Sequence, residues 1–342
     1  MHNLNVALLE LTKKCNLKCK HCGTAFTSSG NFKELSLSQW KKVLRDIKEL
    51  GGEKVIFTGG EPTIKKDFVS IIKEIMRLGL KYAFISNGLF IGREVFQEIV
   101  KNKPYTVRVS IDGDKDLHNY IRGCESSFQQ CLESVGHLQA HNIPVCIVTT
   151  VSKLNWTALP EIANLLKVSG VEGWQIQLAW PYGKALDNQI CFDEKDDINM
   201  FDSVCSQIVE FRSRSNGLRV DAADCFGYAP KGLLRDSDYT GCSAGISSVS
   251  IDAFGNVLPC LSMQYGVPIE NISSRSLTKI WEYSSIFDFN RYFKLSDTGE
   301  KCKNCDEINI CQGGCTSQSY AYSNKPHNMP FCFYRTINNT EV

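Results

Sequence analysis

Three cysteines near the start of the chain carry the side chain that most readily binds iron. Cys15, Cys19 and Cys22 fall within eight residues, with three and then two residues between them. Three thiolates on one short loop can bind three irons of a [4Fe-4S] cluster and leave the fourth iron without a protein ligand. An iron with an open position is what a cluster needs in order to bind and reduce another molecule. The spacing therefore predicts such a cluster rather than buried cysteines, a disulfide or a closed zinc site, which takes four ligands.

A second group of thiols lies near the end of the chain. It consists of Cys242, Cys260, Cys302, Cys305, Cys311, Cys315 and Cys332. Spacing alone is also compatible with a zinc ribbon. Seven thiols exceed what one zinc needs and nearly supply two closed [4Fe-4S] clusters, which take eight. Either one cluster has an open iron or an eighth ligand is recruited, and Cys225 is the nearest spare thiol upstream.

Cysteine usage also indicates the compartment. The chain has sixteen cysteines, no signal peptide and no apolar run long enough to span a bilayer. In the reducing cytoplasm such thiols are metal or cluster ligands rather than disulfides. The remaining five lack ligand spacing and are predicted to be small buried hydrophobic residues: Cys124, Cys131, Cys146, Cys191 and Cys205.

Charge and composition exclude two classes of partner. The net charge is +1 with 22% charged and 43% hydrophobic residues, typical of a globular enzyme. No global field attracts nucleic acid or a membrane surface, so we expect neither as a partner. A local basic patch surrounds the first cysteine loop, and it is either a solvated surface or a device that steers anions: Lys13, Lys14, Lys18 and Lys20.

The elements that must position these thiols alternate along residues 1–214. Apolar or β-branched runs predict strands of a parallel sheet at residues 6–12, 54–57, 82–86, 106–111, 144–151 and 173–179. Amphipathic runs predict helices at residues 36–50, 67–78, 93–101, 128–141, 156–169 and 193–214. Such β/α units predict a barrel-like or doubly wound sheet, with its chemistry at the C-terminal strand ends. The first cysteine loop follows the first strand, at that end.

Polar and glycine-rich groups follow the next three predicted strands. They are Thr58-Gly59-Gly60-Glu61-Pro62, then Ser86-Asn87-Gly88, then Ser110-Ile111-Asp112-Gly113 with His118 and Arg122 further on. Glycine lets the backbone approach a ligand closely, and Glu61 could receive an ammonium group. Any one of these groups alone is explained as a turn. Four consecutive strand ends of this kind, the cysteine loop included, predict one binding site.

The stretches outside these units carry weaker signals. Residues 179–184 are either a turn with exposed aromatic side chains or the far wall of the pocket. Residues 215–241 have little periodicity and predict a bridging segment, residues 248–260 a hairpin, and residues 277–293 a helix. The predicted domains are therefore a barrel over 1–214, a bridge over 215–241 and a cysteine-rich domain over 242–342.

Together these motifs resemble those of the radical S-adenosylmethionine (radical SAM) enzymes that carry a C-terminal SPASM extension. The first cysteine spacing, with aromatic His21 before the third thiol, is similar to the cluster motif of that family. Gly59-Gly60-Glu61-Pro62 resembles its motif for the methionine ammonium. The groups at 86–88 and 110–113 resemble strand-end motifs that contact the ribose and carboxylate. The second cysteine group resembles the seven-cysteine SPASM pattern.

The resemblance implies a partial (β/α)6 TIM-like barrel with a C-terminal SPASM auxiliary-cluster domain. It implies three [4Fe-4S] clusters and S-adenosylmethionine (SAM) as cofactors, and a 5′-deoxyadenosyl radical that takes a hydrogen from the substrate. The cofactors supply this chemistry, while the protein positions the substrate and excludes water. The residues implied to contact SAM are His21, Gly59, Gly60, Glu61, Ser86, Asn87, Ser110, Asp112 and Arg122.

By the same resemblance the later thiols divide crosswise between two auxiliary clusters. The outer cluster takes Cys302, Cys305, Cys311 and Cys332, and the inner cluster takes Cys242, Cys260 and Cys315. The chain lacks the close-spaced upstream thiol of some members, which leaves open whether the inner cluster keeps a free iron. Cys225 is an inner-cluster ligand, a hydrogen-donating or substrate-contacting thiol, or a structural residue. Asp224 is the candidate general base.

The function that this resemblance favours is modification of a ribosomally made peptide, by cross-linking, thioether formation, epimerisation or oxidation. Residues 110–123 resemble those of peptide-modifying and sulfatase-maturing members. Only about 14 residues precede Cys15, so we expect direct peptide binding or a separate recognition protein, together with a flavodoxin- or ferredoxin-type electron donor. The alternative substrate is a small molecule such as a porphyrin, a sugar or a cofactor precursor. A non-catalytic electron carrier or zinc scaffold would need none of the SAM motifs.

Overall fold

A single mixed sheet runs through the protein. The structure, a computed structural model, describes residues 2–23, 33–89, 91–215, 217–263 and 269–338. The strands in these ranges are β1 (Val6–Glu10), β2 (Lys54–Thr58), β3 (Lys81–Ser86), β4 (Thr106–Ser110), β5 (Val145–Val151), β6 (Gly173–Leu178), β7 (Arg219–Ala222), β8 (Ser248–Ile251), β9 (Asn256–Leu258) and β10 (Glu270–Asn271).

Helices follow most of these strands. They are α1 (Leu37–Glu49), α2 (Phe68–Leu78), α3 (Arg93–Lys101), α4 (Lys115–Arg122), α5 (Ser127–Ala140), α6 (Leu159–Ser169), α7 (Gly183–Asp187), α8 (Ile198–Ser213), α9 (Leu277–Tyr283), α10 (Asp288–Arg291), α11 (Ile308–Cys311), α12 (Thr316–Ser323) and α13 (Phe333–Asn338). The predicted six β/α units are confirmed, with ends that move by a few residues.

The strand order identifies the sheet as a partial barrel. The order is β10-β9-β8-β1-β2-β3-β4-β5-β6-β7, and β1 to β7 are parallel neighbours in chain order. A doubly wound sheet instead reverses its order at a switch point. The barrel-like prediction is therefore confirmed, and the doubly wound alternative is wrong.

Helix α1 shows how sequence fixes a helix against this sheet. The Ser36 hydroxyl accepts a hydrogen bond from the Gln39 N–H and caps the first turn. Four apolar residues at helical spacing then form the buried stripe: Trp40, Val43, Leu44 and Ile47. Burial of that stripe contributes several kcal/mol at about 1.5–3 kcal/mol per large apolar side chain, and anchors the helix to the core.

The second half of the chain departs from the predictions in two places. Strand β7 lies inside the predicted bridging segment, where Val220 and Ala222 are buried while Arg219 and Asp221 form an ion pair at 2.9 Å. This alternation is typical of an edge strand with one solvent-facing side. A search for continuous apolar runs does not detect such a strand. The single helix predicted over 277–293 is wrong, because Ser284 is extended and its hydroxyl accepts from the Ile286 N–H.

The cysteine-rich part is joined to the barrel through the sheet itself. Strand β8 pairs in parallel with β1, with Val6 opposite Ser248, and β9 returns antiparallel to β8. The predicted hairpin is confirmed, and its turn contains Gly255 at a φ of 85°. Within the described ranges, no helix has the length and apolar character to cross a bilayer.

Candidate functional site

Two glycines after β2 hold the first cysteine loop by close backbone contact. The Gly60 N–H donates to the Thr12 carbonyl oxygen at 2.7 Å, and the Glu61 N–H donates to the Lys14 carbonyl oxygen at 2.9 Å. A Cβ on Gly60 would lie 2.0 Å from that Lys14 oxygen, and one on Gly59, at a φ of 146°, would lie 2.5 Å from the Thr12 oxygen. Only glycine allows this approach. The segment just before Cys15 is thereby fixed to the end of β2.

Glu61 joins the ends of β2 and β3. Its carboxylate is fully buried and accepts hydrogen bonds from the Thr63 hydroxyl at 2.6 Å, the Ser86 hydroxyl at 3.1 Å and the Asn87 N–H at 2.8 Å. Burial raises the pKa of Glu61, and these hydrogen bonds lower it in part. Both carboxylate oxygens are engaged by the protein itself, so the side chain fixes the loops that surround the cysteines.

Asn87 connects the end of β3 to the first thiol. Its side-chain N–H donates to the Asn16 side-chain oxygen at 2.7 Å and lies 3.7 Å from the Cys15 sulfur. The Leu17 N–H donates to the same sulfur at 3.4 Å. The three thiols of this loop differ in accessibility, since Cys15 is exposed, Cys22 half-buried and Cys19 buried. The loop therefore presents Cys15 to solvent from a hydrogen-bonded base.

A buried carboxylate at the end of β4 links the other side of the loop. One Asp112 side-chain oxygen lies 3.0 Å from His21 Nε2 and 2.6 Å from the Arg122 guanidinium. Burial alone would raise the pKa of Asp112, but the charge of Arg122 and the contact with His21 hold it well below its usual range. Arg122 also lies 3.8 Å from the Cys19 sulfur. Burial raises the pKa of Cys19, and the positive charge of Arg122 opposes that rise.

Helix α4, absent from the predicted elements, places Arg122 in this network. Its first turn is capped by Asp114 and it ends at Gly123, which has a φ of 68°. The same helix buries His118, whose Nδ1 accepts from the Asp112 N–H at 3.2 Å. Burial lowers the pKa of His118 to about 4, so the ring is neutral at physiological pH. Ser110 is buried at the end of β4, beside these residues.

The segment after β6 closes the far end of the cysteine loop. The Lys184 N–H donates to the Cys22 carbonyl oxygen at 3.1 Å, and the Asn188 side chain donates to the Lys20 carbonyl oxygen at 2.9 Å. Gly183 has a φ of 54°, and a Cβ there would lie 2.7 Å from the Cys22 oxygen. Trp180 packs against buried residues around Cys302. The geometry favours the pocket-wall interpretation of residues 179–184.

Four of the later thiols form one electrostatic group. Burial raises the pKa of Cys311, and negative charge on Cys332, Cys302 and Cys305 would raise it further. Burial also raises the pKa of Cys302, and the Arg335 guanidinium, 3.8 Å from the Cys302 sulfur, opposes that rise. These are the four residues that the family resemblance assigns to the outer cluster.

The other three thiols form a second group. Burial raises the pKa of Cys315 well above its usual value, and charge on Cys242 and Cys225 raises it further. The Ser317 hydroxyl lies 3.2 Å from the Cys315 sulfur and also hydrogen-bonds to Cys260. Ser317, which no motif marks, thus bridges two of the residues assigned to the inner cluster. Cys225 lies near this group, since negative charge on Cys225 raises the pKa of Cys315.

Arg235, a second residue without a sequence signal, holds the turn that carries Asp224 and Cys225. Its guanidinium is buried and donates to the carbonyl oxygens of Ala222 at 3.3 Å and Gly227 at 3.2 Å. The Cys225 sulfur accepts from the Leu178 N–H at 3.3 Å, and burial raises the pKa of Cys225 to about 12. Asp224 is exposed on this turn, where the surrounding protein raises its pKa and Arg235 lowers it in part.

The geometry of the later thiols bears on the zinc site with which their spacing is compatible. Among the residues that the structure describes, no three or more Cys, His, Asp or Glu side chains are placed to share a single metal ion. A structural zinc site needs four ligands around one point. The thiolates of a [4Fe-4S] cluster bind different irons, so they surround the cluster without meeting at one point.

The five cysteines without ligand spacing are mostly buried, as predicted. Cys131, Cys146, Cys191 and Cys205 are buried, and Cys124 is half-buried. The Cys131 sulfur donates to the Asn87 carbonyl oxygen at 3.0 Å, and the Cys191 sulfur to the Trp180 carbonyl oxygen at 2.9 Å. These two thiols support the backbone around the site.

Comparisons with known proteins agree with this geometry. Residues 9–166 match the model of the Radical SAM superfamily, and residues 242–306 match that of SPASM, an iron-sulfur cluster-binding domain. PqqA peptide cyclase from Bradyrhizobium diazoefficiens is 28% identical over 97% of this chain and 87% of that protein. AdoMet-dependent heme synthase from Oleidesulfovibrio alaskensis is 29% identical over 95% of this chain and 86% of that protein.

Solved structures share the fold. Streptococcus suis SuiB bound to S-adenosylmethionine superposes with a TM-score of 0.73 and 20% identity, over 92% of this chain and 74% of SuiB. Native anSMEcpe with bound AdoMet and Cp18Cys peptide superposes with a TM-score of 0.73 and 19% identity, over 98% of this chain and 95% of anSMEcpe. The shared architecture spans both the barrel and the cysteine-rich part.

Proposed function

Since this chain belongs to the radical SAM superfamily and carries a SPASM iron–sulfur domain, we propose that it is a radical SAM maturase that modifies a peptide. The observation that carries the proposal is the loop of Cys15, Cys19 and Cys22, which the ends of β2, β3 and β4 hold with one thiol exposed. When bound there, a [4Fe-4S] cluster supplies the electron that splits SAM into methionine and a 5′-deoxyadenosyl radical, which takes a hydrogen from the substrate.

The proposed cofactor set is three [4Fe-4S] clusters and SAM. Cys15, Cys19 and Cys22 bind the first cluster. The two electrostatic groups of later thiols support an outer cluster on Cys302, Cys305, Cys311 and Cys332 and an inner cluster on Cys242, Cys260 and Cys315. Burial has raised the pKa of several of these thiols, so cluster binding must release their protons.

The strand-end residues orient SAM beside the exposed Cys15. The backbone of Gly59 and Gly60 faces the loop, and Glu61 holds that backbone through buried hydrogen bonds. Ser86, Asn87 and Ser110 supply polar groups at the same edge of the sheet. Asp112 positions two cationic or hydrogen-bonding groups, His21 and Arg122, beside the cluster loop. We assign these nine residues to the SAM site.

Asp224 and Cys225 contribute from the turn after β7. Asp224 is exposed, and its raised pKa suits a general base that accepts a proton from the substrate. Cys225 lies near Cys315 and supplies the fourth thiol that the inner group otherwise lacks. We therefore assign Asp224 as the base and Cys225 as the fourth inner-cluster ligand.

The peptide substrate is supported by the likeness to PqqA peptide cyclase across nearly the whole chain. Likeness of the same extent to AdoMet-dependent heme synthase supports a small-molecule substrate as the second candidate. The proposal includes a flavodoxin- or ferredoxin-type electron donor, a separate peptide-recognition protein or direct peptide binding, and a cytoplasmic location. It also retains the division into 1–214, 215–241 and 242–342, with β7 in the bridge.

Anaerobic purification and SAM cleavage test the proposal. Iron analysis should give about twelve irons per chain, and replacing Cys15, Cys19 and Cys22 with alanine should leave about eight. With SAM and a strong reductant, the parent protein should yield 5′-deoxyadenosine, and the variant without Cys15, Cys19 and Cys22 should yield none. Mass spectrometry of a co-expressed peptide encoded beside the gene should show a mass change that the triple variant lacks. If no 5′-deoxyadenosine forms at full iron content, the radical proposal is wrong, and turnover of a porphyrin instead of the peptide favours the second candidate.

Cys225→Ala separates the three interpretations of that thiol. As an inner-cluster ligand, Cys225 should be needed for full loading, so the variant should lose inner-cluster iron or convert that cluster to a form with fewer irons. Cys205→Ala is the control, because Cys205 is a buried thiol outside the assigned ligands. Unchanged iron and unchanged cluster spectra in Cys225→Ala would refute the ligand assignment. Full iron with abolished product would instead indicate a hydrogen donor.

A further inference from the structure

Tyr239 has a buried hydroxyl group that the protein leaves without a partner. The residue is 5% exposed, and its Oη has no hydrogen-bond partner among the residues that the structure describes. By contrast, the half-buried Tyr322 donates to the Phe192 carbonyl oxygen at 2.7 Å. Buried hydroxyl groups are nearly always paired, because leaving one unpaired is costly. An acceptor is therefore missing beside Tyr239.

The surroundings of Tyr239 indicate what that acceptor is. Burial raises the pKa of Tyr239 well above its usual value, and negative charge on Asp224, Cys242, Cys315 and Cys311 raises it further. Cys242 and Cys315 are thiols of the inner group, and they precede Cys311, a thiol of the outer group, in the size of this effect. The phenol therefore keeps its proton and lies near thiols that become anionic when a cluster binds. A retained O–H beside cluster sulfurs is a hydrogen-bond donor.

The ring of Tyr239 is held in place by Arg235. The guanidinium carbon lies 5.0 Å from the ring centroid, a cation–π contact. Arg235 is itself fixed by backbone carbonyl oxygens around the turn that carries Asp224. The ring that carries the Tyr239 hydroxyl is thus held in place before a cluster binds, because the Arg235 side chain that contacts it is itself fixed.

We propose that the hydroxyl of Tyr239 donates a hydrogen bond to a sulfur of the inner auxiliary cluster and thereby raises the reduction potential of that cluster. Hydrogen bonds to cluster sulfurs are among the factors that set the potential, because they stabilise the more negative reduced form. The inference rests on the proposed inner ligand set, which consists of Cys225, Cys242, Cys260 and Cys315. Tyr239 is a positioning and tuning residue in this account, since it acts through the cluster.

The test is a redox titration of the auxiliary clusters. It uses the variant in which Cys15, Cys19 and Cys22 are alanine, so that only auxiliary signals contribute to the EPR spectrum. The inner-cluster signal is identified as the one that Cys242→Ala removes. Adding Tyr239→Phe should shift the potential of that signal to a lower value at unchanged iron content, and should leave the outer-cluster potential in place. An unchanged inner-cluster potential at full iron would overturn the proposal.

Two further measurements make the result specific. Tyr322→Phe removes a hydroxyl that already has a backbone acceptor, so neither potential should move, and an equal shift in both variants would overturn the role of Tyr239. If Tyr239→Phe lowers cluster loading, 3-fluorotyrosine at position 239 keeps the shape and makes the hydroxyl a stronger donor. That replacement should raise the inner-cluster potential, and no shift would again overturn the proposal. Missing auxiliary iron in the parent protein would instead contradict the proposed cluster set.

Discussion

Replacing Gly60 with alanine should displace the first cysteine loop without touching a cysteine. The added Cβ would lie 2.0 Å from the Lys14 carbonyl oxygen and 2.8 Å from the Lys13 carbonyl oxygen. Both neighbours are backbone atoms, so no side chain can rotate away to make room. Contacts below 3.0 Å essentially never occur for a real Cβ, and the two segments must therefore separate by about 1 Å.

The cost follows from the hydrogen bonds that span this contact. The separation breaks or stretches the bonds from the Gly60 N–H to Thr12 and from the Glu61 N–H to Lys14, at 2.7 and 2.9 Å. Each broken bond costs about 1–3 kcal/mol when its groups stay buried and unpaired. The expected loss from the two bonds is about 2–6 kcal/mol, a large share of the ~5–15 kcal/mol that stabilises a typical domain.

Two measurements on anaerobically purified protein check this expectation. Urea unfolding should show a lower midpoint, and iron analysis should show loss of about four of about twelve irons, because the displaced loop no longer binds the first cluster. The matched control is Gly136→Ala on an exposed face of α5, where an added Cβ meets nothing within 4 Å. That change should be neutral or stabilising by up to about 1 kcal/mol. Equal stability and equal iron in the two variants would refute the role assigned to Gly60.

Two further predictions concern the network at the end of β4. Asp112→Asn leaves the buried Arg122 guanidinium without its countercharge, so we expect the free energy of unfolding to fall by about 3–5 kcal/mol in urea titrations, and a change below about 1 kcal/mol would contradict the network. Burial lowers the pKa of His118 from 6.5 to about 4, so between these values the unfolded chain binds the proton more tightly. Stability should therefore fall with decreasing pH through this window, by about 3 kcal/mol at most. His118→Gln should flatten that dependence in unfolding measured from pH 7 to 5, and an equal slope in both proteins would count against it.

The barrel could be predicted from the sequence because its strands are runs of mostly apolar or β-branched residues, and the clearest case is buried on both faces. Residues 145–151 are apolar or β-branched throughout and form β5 as predicted. Strand β7 was missed because its charged residues, Arg219 and Asp221, alternate with buried ones at the sheet edge. Helix α4 left a usable signal, since Asp114 and Gly123 are typical helix caps.

Some site residues can be predicted from residues close to them in the chain, and others depend on contacts between distant segments. The three cysteines of the first loop lie within eight residues, so their spacing predicts a cluster site without a structure. The buried contact of Arg122 with Asp112 and the bridging position of Ser317 depend on residues brought together only by folding. Arg235 binds backbone carbonyl oxygens, which carry no side-chain identity, and therefore leaves no pattern in the sequence.

The sheet explains how the later thiols keep a fixed position relative to the first cysteine loop. Strand β1 leads directly into that loop, and β8, which pairs with β1, leads into the hairpin that ends before Cys260. Backbone hydrogen bonds between these strands, rather than a flexible linker, set the distance between the two cysteine-bearing segments. On the other side, Trp180 after β6 packs against residues around Cys302. The pairing of β8 with β1 and the packing of Trp180 therefore hold the cysteine-rich part to the barrel at two separate places.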